Sequence, residues 1–574
     1  MFSSLFRFIF ILPLLIGAKA WAQEKKFNFG EVHGDFQTDF QTYNSNPRIN
    51  AIAVPEKSGS NSFVNLMYYR DNITAGVRFE GYYPALQGFD RRYKGGGLPY
   101  RFVSFKQHGL EVTAGNFYEQ FGNGLTLRSY WEWGLGYDNS FDGFRVRYYG
   151  IKGLVLKGLI GDQRFYFDKS QGKVRGFDAE VNLNDLIPAW DTIATKVSFG
   201  GSFVSKFEAD NDPVLKLPEN VPTDGGRFNI TRKAINLSAE YAHKLNDPSE
   251  INGNIYKNGD ALWTSISYSP KNFGLVAQFK RIDNMNFRSS RTATLNDLMI
   301  NYLPAGTPQH TYRLASIYPY ATQPNGEIGL QLDLMYNFEE GTLLGGKYGT
   351  KISFNYSHVN NITRKPIDSI TLAQEPNSSF LGYESSLAND LGFSNNQFRF
   401  GASNLYKNLS IEVNKKISDK WKLITSYIFI QLDNSVLKLS PYSGVIKSHI
   451  LVFDLTWKIK SKRILRGEFQ HLYSEQDYGN WMTFLGEFNL GHKWFFSVLD
   501  DYNYGYAGDV KPSQIGGLFS SPFHYLSGTV GYNYKTTRIS LSYGRRRAGV
   551  LCVGGVCRLV PATDGLTMTI SSSF

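Results

Sequence analysis

The chain is poor in the residues that usually announce a function. Of 574 residues only two are cysteine and nine are histidine, and His33, His108, His243, His310, His358, His449, His471, His492 and His524 fall on separate segments. No His-Glu-x-x-His, Gly-x-Ser-x-Gly or phosphate-loop pattern occurs, so the common signatures of metalloproteases, serine hydrolases and NTPases are missing. A membrane-embedded lipase can assemble Ser and His from adjacent strands without a motif, but nothing in the sequence favours it, and the expectation is no enzyme and no cofactor. After residue 22 no run approaches the roughly 18 apolar residues of a membrane helix, and the mean hydropathy is -0.30. Helical membrane proteins are therefore excluded.

What is abundant is aromatic: 43 Phe, 36 Tyr and 9 Trp make 15% of the chain, beside 56 glycines. A soluble β-rich protein is the plain alternative, yet this content suits the interfacial girdles of a membrane barrel, and the glycines suit many turns and bends. From Glu31 to Phe40 the chain alternates, with Val32, Gly34, Phe36, Thr38 and Phe40 on one face and Glu31, His33, Asp35, Gln37 and Asp39 on the other. The polar face is too charged for a packed sandwich core. The pattern returns at Ile73 to Glu80, Gly176 to Leu183 and Glu327 to Tyr336, in runs near the 9 to 11 residues that cross a bilayer at a tilt.

Both ends point to the bacterial outer membrane. Leu566 to Phe574 alternates and stops on an aromatic carboxy-terminus, as a closing barrel strand would, with Leu566, Met568, Ile570 and Phe574 toward lipid. Residues 1 to 22 read as a secretory signal, with Arg7, an apolar stretch from Phe8 to Gly17, and Ala20-Trp21-Ala22 before a cleavage at Gln23. The domains are thus 1–22, signal peptide, and 23–574, barrel. Arg7 and Lys19 lie in the leader, whose removal takes the formal charge from +11 to +9. That mild excess suits contacts with anionic headgroups or an anion-selective pore, and nothing supports nucleic-acid binding.

Counting gives 24 to 26 strands, and an even number near 24, in a range of 22 to 26, defines the predicted fold: an all-β, transmembrane antiparallel barrel with long external loops and short periplasmic turns. Short turns at 460–462, 491–493 and 535–538 fall on one rim. Loops 433–447, 474–481, 503–524, 548–563, 283–326 and 359–396 fall on the other. Before residue 260 the alternation loses step, because 206–231 and 244–260 both read as external loops. A lumen that wide requires inward-folded segments to narrow it.

Several segments are candidates for function. Asn116 to Gly136 is dense in glycine and aromatics and reads either as a bulged strand pair or as a constriction inside the lumen, with Glu119, Arg128 and Glu132 lining it. Asn301 to Gly326 carries Tyr302, His310, Tyr312, Tyr318 and Tyr320 among prolines, and reads as a loop over the mouth or as an aromatic surface for sugar rings or a partner. Late in the chain Lys458, Arg466, Glu468, Arg545, Arg546 and Arg547 sit on or near inward positions, where they form an anion-favouring strip or a cross-strand charge network. Cys552 and Cys557, with four residues between them, are expected to form a disulfide, since two thiols without a neighbouring histidine leave a metal site incomplete.

In Phe117 to Asp138, Tyr302 to Glu327, and Cys552-Val-Gly-Gly-Val-Cys557-Arg558 with Val560-Pro561, the chain resembles a family of uncharacterised outer-membrane barrels of Bacteroidota, over the whole mature length. The resemblance implies location and fold, carries over no catalytic residue, and suggests envelope lipoproteins or other barrels as partners beside outer-membrane lipids. No N-terminal plug domain of about a hundred residues precedes the first strand, which argues against a TonB-dependent receptor. Two readings follow: a passive or gated channel for small polar, possibly anionic, solutes, or a non-conducting barrel that serves as scaffold or assembly partner.

Overall fold

The computed structural model describes residues 29–365, 393–394, 398–438, 442–505, 522–553 and 556–574. Residues 1–22, read above as a secretory signal, lie outside them, as do much of 359–396, most of 503–524 and the middle of 433–447. The remaining chain forms one closed antiparallel sheet of 24 strands in which each strand pairs with its neighbours in the chain. The first, Glu31–Thr42, closes the ring against the last, Thr563–Ser573, with Asp35 opposite Ser573 and Gln41 opposite Thr567. A ring leaves no free sheet edge, so the backbone donors and acceptors facing the membrane are paired along its length.

The terminal aromatic contributes to closure. Gly34 and Phe574 exchange two backbone hydrogen bonds of 2.9 Å, and the Phe574 ring lies where a Cβ on Gly34 would stand, 2.6 Å away. Any side chain at position 34 would displace that ring.

Alternation sets the two faces. On Val445–Lys460 the residues Leu451, Phe453 and Leu455 are exposed on the outside, while Val452 and Asp454 are buried inside. The outward set continues around the ring through Phe144, Phe177, Phe484 and Tyr543, forming the apolar belt of a transmembrane barrel. One rim carries tight turns: Asp71, Lys233 and Lys535 each open a two-residue turn with positive φ, as the twist of the flanking strands demands. The other rim carries the longest connections, while 183–194 and 339–349 are the extended ones on the turn rim.

The missing step before residue 260 is the strand Asn220–Arg232, which lies inside the stretch read as a loop. Its sequence, with two glycines and a proline, hides its pairing with Thr195–Phe207 and Ile235–Lys244. Once it is counted, 208–219 and 245–258 both fall on the long-loop rim. The Asn116 to Gly136 stretch is likewise not a bulged pair in the wall: Leu110–Phe117 pairs directly with Phe141–Tyr148, and the chain between them leaves the sheet.

Phe453→Arg, on the outward belt, is expected to destabilise the folded barrel by about 2–4 kcal/mol if it sits near the bilayer midplane. Thr529→Arg, on the inner face opposite Ser497 and Ser542, is expected to be close to neutral. Urea unfolding in lipid vesicles measures both.

Candidate functional site

Two of the long connections, 118–140 and 284–325, turn inward and meet inside the barrel. Arg128 N donates to Ile300 O at 2.8 Å and Tyr302 N to Gly124 O at 2.9 Å, so the two segments share backbone hydrogen bonds. Asn139 Nδ2 and Gln163 Nε2 both donate to Met299 O at 2.8 Å, which ties that junction to the wall. Phe121 and Leu127 from the first segment and Phe287 and Ile300 from the second are buried with wall residues Val174, Val204 and Val221.

The second segment continues across the lumen to the far wall. Leu314, Ala315, Ile317, Tyr318 and Tyr320 are buried against Ile428, Ile430, Ile450, Val452, Leu472 and Trp481. The inner face therefore changes character along single strands: on Arg463–Tyr473 the inward residues run from Arg466 and Glu468 to Gln470 and Leu472, from charged near the turns to apolar near the loops. Polar contacts fix the seat. Leu314 N donates to Gln470 Oε1 at 2.9 Å, Tyr318 Oη to Asp477 Oδ2 at 3.0 Å, and Tyr320 Oη to Glu327. Arg313 Nε reaches both oxygens of Asp501, at 3.1 and 2.9 Å, while Thr483 Oγ1 donates to Asp501 Oδ1 at 2.6 Å.

Charges hold the first segment. Asp138, on the small hairpin Trp131–Glu132/Tyr137–Asp138, accepts from Arg164 Nη1 at 2.7 Å and Tyr118 Oη at 2.9 Å and also pairs with Arg78. Burial opposes its charge, but Arg164 and Arg78 hold the Asp138 carboxyl below its ordinary value. Glu80 completes the group, bonded to Arg78 at 2.7 Å and to Arg164 at 2.6 Å. Nearby, Glu119 pairs with Arg147 at 2.7 Å and Lys157 at 3.5 Å. Buried carboxylates of this kind persist only with their partners in place.

A third element lies across both. The strands Gly549–Val553 and Val556–Val560 form a separate hairpin closed by the Cys552–Cys557 disulfide. Cys557 O accepts from Asn296 Nδ2 at 2.6 Å, Cys552 O accepts from Gln309 Nε2 at 3.3 Å, and Arg558 Nη2 donates to Gly134 O at 3.0 Å. The hairpin thus touches both inward segments and clasps them from the loop side.

The residues singled out in the sequence take different places. Glu119 is buried in its ion pairs rather than facing open space. Arg128 is stacked between Tyr302, at 4.1 Å, and Tyr130, at 4.8 Å, and joins the two segments. Glu132 accepts from Gly134 N at 3.2 Å within its hairpin. Arg466 gathers Asp454 at 3.0 Å, Glu487 at 2.6 Å and Glu468 on the inner wall, so here the cross-strand network is what the geometry contains. Lys458 lies exposed toward the turn rim, and Arg546 ends its strand near the loop rim. The expectation of an aromatic contact surface fails for Tyr318 and Tyr320, which are 2% and 4% exposed because the segment turns them into the wall. Tyr302, His310 and Tyr312 are half-buried. Sequence reading missed Asp138, Arg164, Arg313 and Asp501, which carry no motif. It also missed the apolar inner face, although Tyr-Ile-Phe-Ile at 427–430 is an unbroken apolar run of the kind that marks a strand buried on both faces. Among the described residues no group of three or more His, Cys, Asp or Glu is placed to hold a metal.

The chain belongs to a family of unknown function, DUF6029, whose model matches residues 2–574. No curated protein matches it. Among solved structures it is similar to the siderophore receptor PirA from Pseudomonas aeruginosa, at 9% identity and a TM-score of 0.40 over 95% of this chain and 80% of that one. A ferric enterobactin receptor (PfeA) mutant from the same organism matches at 11% identity and a TM-score of 0.41, covering 95% and 81%. OccAB3 from Acinetobacter baumannii matches at 11% identity and a TM-score of 0.33, covering 95% and 99%.

Arg164→Ala is expected to cost roughly 3–5 kcal/mol, because it strands the Glu80 and Asp138 carboxylates in the interior; equilibrium unfolding reads the loss. A pH effect is expected at His310, whose Nε2 accepts from Asn408 Nδ2 at 2.9 Å and whose pKa burial pushes down from 6.5 to about 4. The seated segment prefers neutral imidazole, so as pH falls from the released-state value toward the seated one, only the released segment gains the proton and seating weakens. Protection of the amides across 304–318, corrected for the intrinsic slowing of exchange in acid, should fall between about pH 6.5 and 4 in the wild type, and His310→Gln should flatten that dependence.

Proposed function

We propose that this protein is an outer-membrane channel held shut by its own loops, and that it passes small polar solutes when the 284–325 segment leaves its seat. The turn rim faces the periplasm and the long loops face outward, with the apolar belt against outer-membrane lipid. The observation that carries the reading is the composition of the seat. Its contacts Arg313–Asp501, Leu314–Gln470 and Tyr318–Asp477 are polar groups that water can satisfy when the segment leaves, so release exchanges hydrogen bonds rather than losing them. Below the seat the inner wall is charged, through Arg466, Asp454, Glu468 and Glu487, which suits a hydrated passage.

A second reading has its own support. Tyr318, Tyr320 and Trp481 are fully packed, as they would be in a barrel shut for good that serves as a scaffold for envelope lipoproteins or other barrels.

Single-channel recording in planar bilayers separates the two. The wild type is expected to be closed with rare openings. A Leu314→Asp/Ile317→Asp double variant, which puts two charges into the apolar seat, is expected to open in large discrete steps. A correctly folded double variant that stays silent would leave the scaffold reading in its place.

A further inference from the structure

Beside the seam between the first and last strands, the inner wall and the seated segment border a half-open cavity of about 140 Å3. Gln41, Ser527, Ser542, Thr563 and Thr567 line it from four wall strands. Arg546 enters from the wall and Arg313 from the seated segment. No carboxylate among the described residues lines it. Arg545 also borders it but is paired with Asp564 at 3.4 Å.

The charges in this space do not balance. Arg546 has no ion-pair partner among the described residues, and its buried Nε has no hydrogen-bond partner there. It stands close enough to Arg313 and Arg558 for their charges to repel, and Arg547 repels Arg313 in turn. Asp501 is the carboxylate that Arg313 holds, and Arg313 remains 39% exposed beside the cavity. Like charges with unused donors in a confined space are costly, and a cavity lined by guanidinium and hydroxyl donors is built to take acceptors.

We propose that this cavity binds a small oxyanion, inorganic phosphate or sulfate or the carboxylate head of a small solute, held between Arg546 and Arg313. The volume suits that class, since a water molecule takes about 30 Å3 and an oxyanion a few times that. The forked geometry of arginine matches an oxyanion with two parallel hydrogen bonds and does not match chloride. Because Arg546 belongs to the wall and Arg313 to the seated segment, a bound anion joins the two and relieves their repulsion. The site opens on the lumen, so its ligand is a dissolved solute rather than a lipid phosphate. The proposal goes beyond the channel reading, because binding is measurable whether or not the barrel conducts.

The test is calorimetric titration of inorganic phosphate into the folded full-length protein in uncharged detergent, against equal chloride, with the melting midpoint followed in parallel. Saturable binding and a rising midpoint are expected for the wild type. Arg546→Gln should weaken binding by roughly tenfold or more, and Arg546→Lys, which keeps the charge and loses the fork, by less. Lys173→Gln, which removes an outward cation paired with Asp162 at 2.7 Å, should bind as the wild type does. Wild-type protein indifferent to phosphate, or a folded Arg546→Gln variant that binds normally, would overturn the proposal. Repeating the titration in vesicles containing phosphatidylglycerol fixes the source: unchanged affinity is expected, and displacement of phosphate by the anionic lipid would overturn the assignment to a solute.

Discussion

A ring of 24 strands encloses more space than its own inward side chains fill, and the architecture inside the wall follows from that. The chain fills the space with its own connections, and each buried polar group that the inward turn creates has to find a partner. Asp138 is the clearest case. It rides on a short hairpin just ahead of the wall strand Phe141–Tyr148, and it is met by Arg78 and Arg164 from two other wall strands and by Tyr118 from its own segment. Removing either arginine leaves charge without compensation in a place that water does not reach.

The two inward segments divide the work. Segment 118–140 is fixed by ion pairs at Asp138 and Glu119 and by the Arg128 stack, so it behaves as an extension of the wall. Segment 284–325 rests partly on the first and partly on an apolar patch across the lumen, with polar contacts at its edge. The disulfide hairpin spans both. This arrangement makes 284–325 the part whose movement changes the lumen most, and it places Arg313 where wall, segment and cavity meet.

Much of the barrel was legible in the sequence because a period of two over nine to eleven residues is a strong signal, and because the aromatic terminus and tight turns fix the direction of counting. Asn220–Arg232 was lost for a local reason: Pro222, Gly225 and Gly226 imitate a loop while the strand's neighbours supply the pairing. The interior was harder. Glu119, Arg128 and the paired cysteines were legible as unusual, since they break the alternation. Their partners were not, because Arg164, Asp501 and Gln470 look like ordinary inward polar residues until the distant segment that meets them is in place. Tyr318 and Tyr320 were misread for the same reason, as prolines and aromatics mark an outer loop and an inward one alike.

The central claim is that 284–325 sits inside the barrel against the far wall. Cysteines placed at Leu314 and Gln470 test it directly, since Leu314 N lies 2.9 Å from the Gln470 side chain and the native Cys552 and Cys557 are already joined. In intact outer membranes a short bismaleimide is expected to join the two new cysteines within one chain and shift its mobility on a denaturing gel. Efficient labelling of each cysteine alone, with no crosslink between them, would show that the segment does not occupy the lumen and would contradict the account.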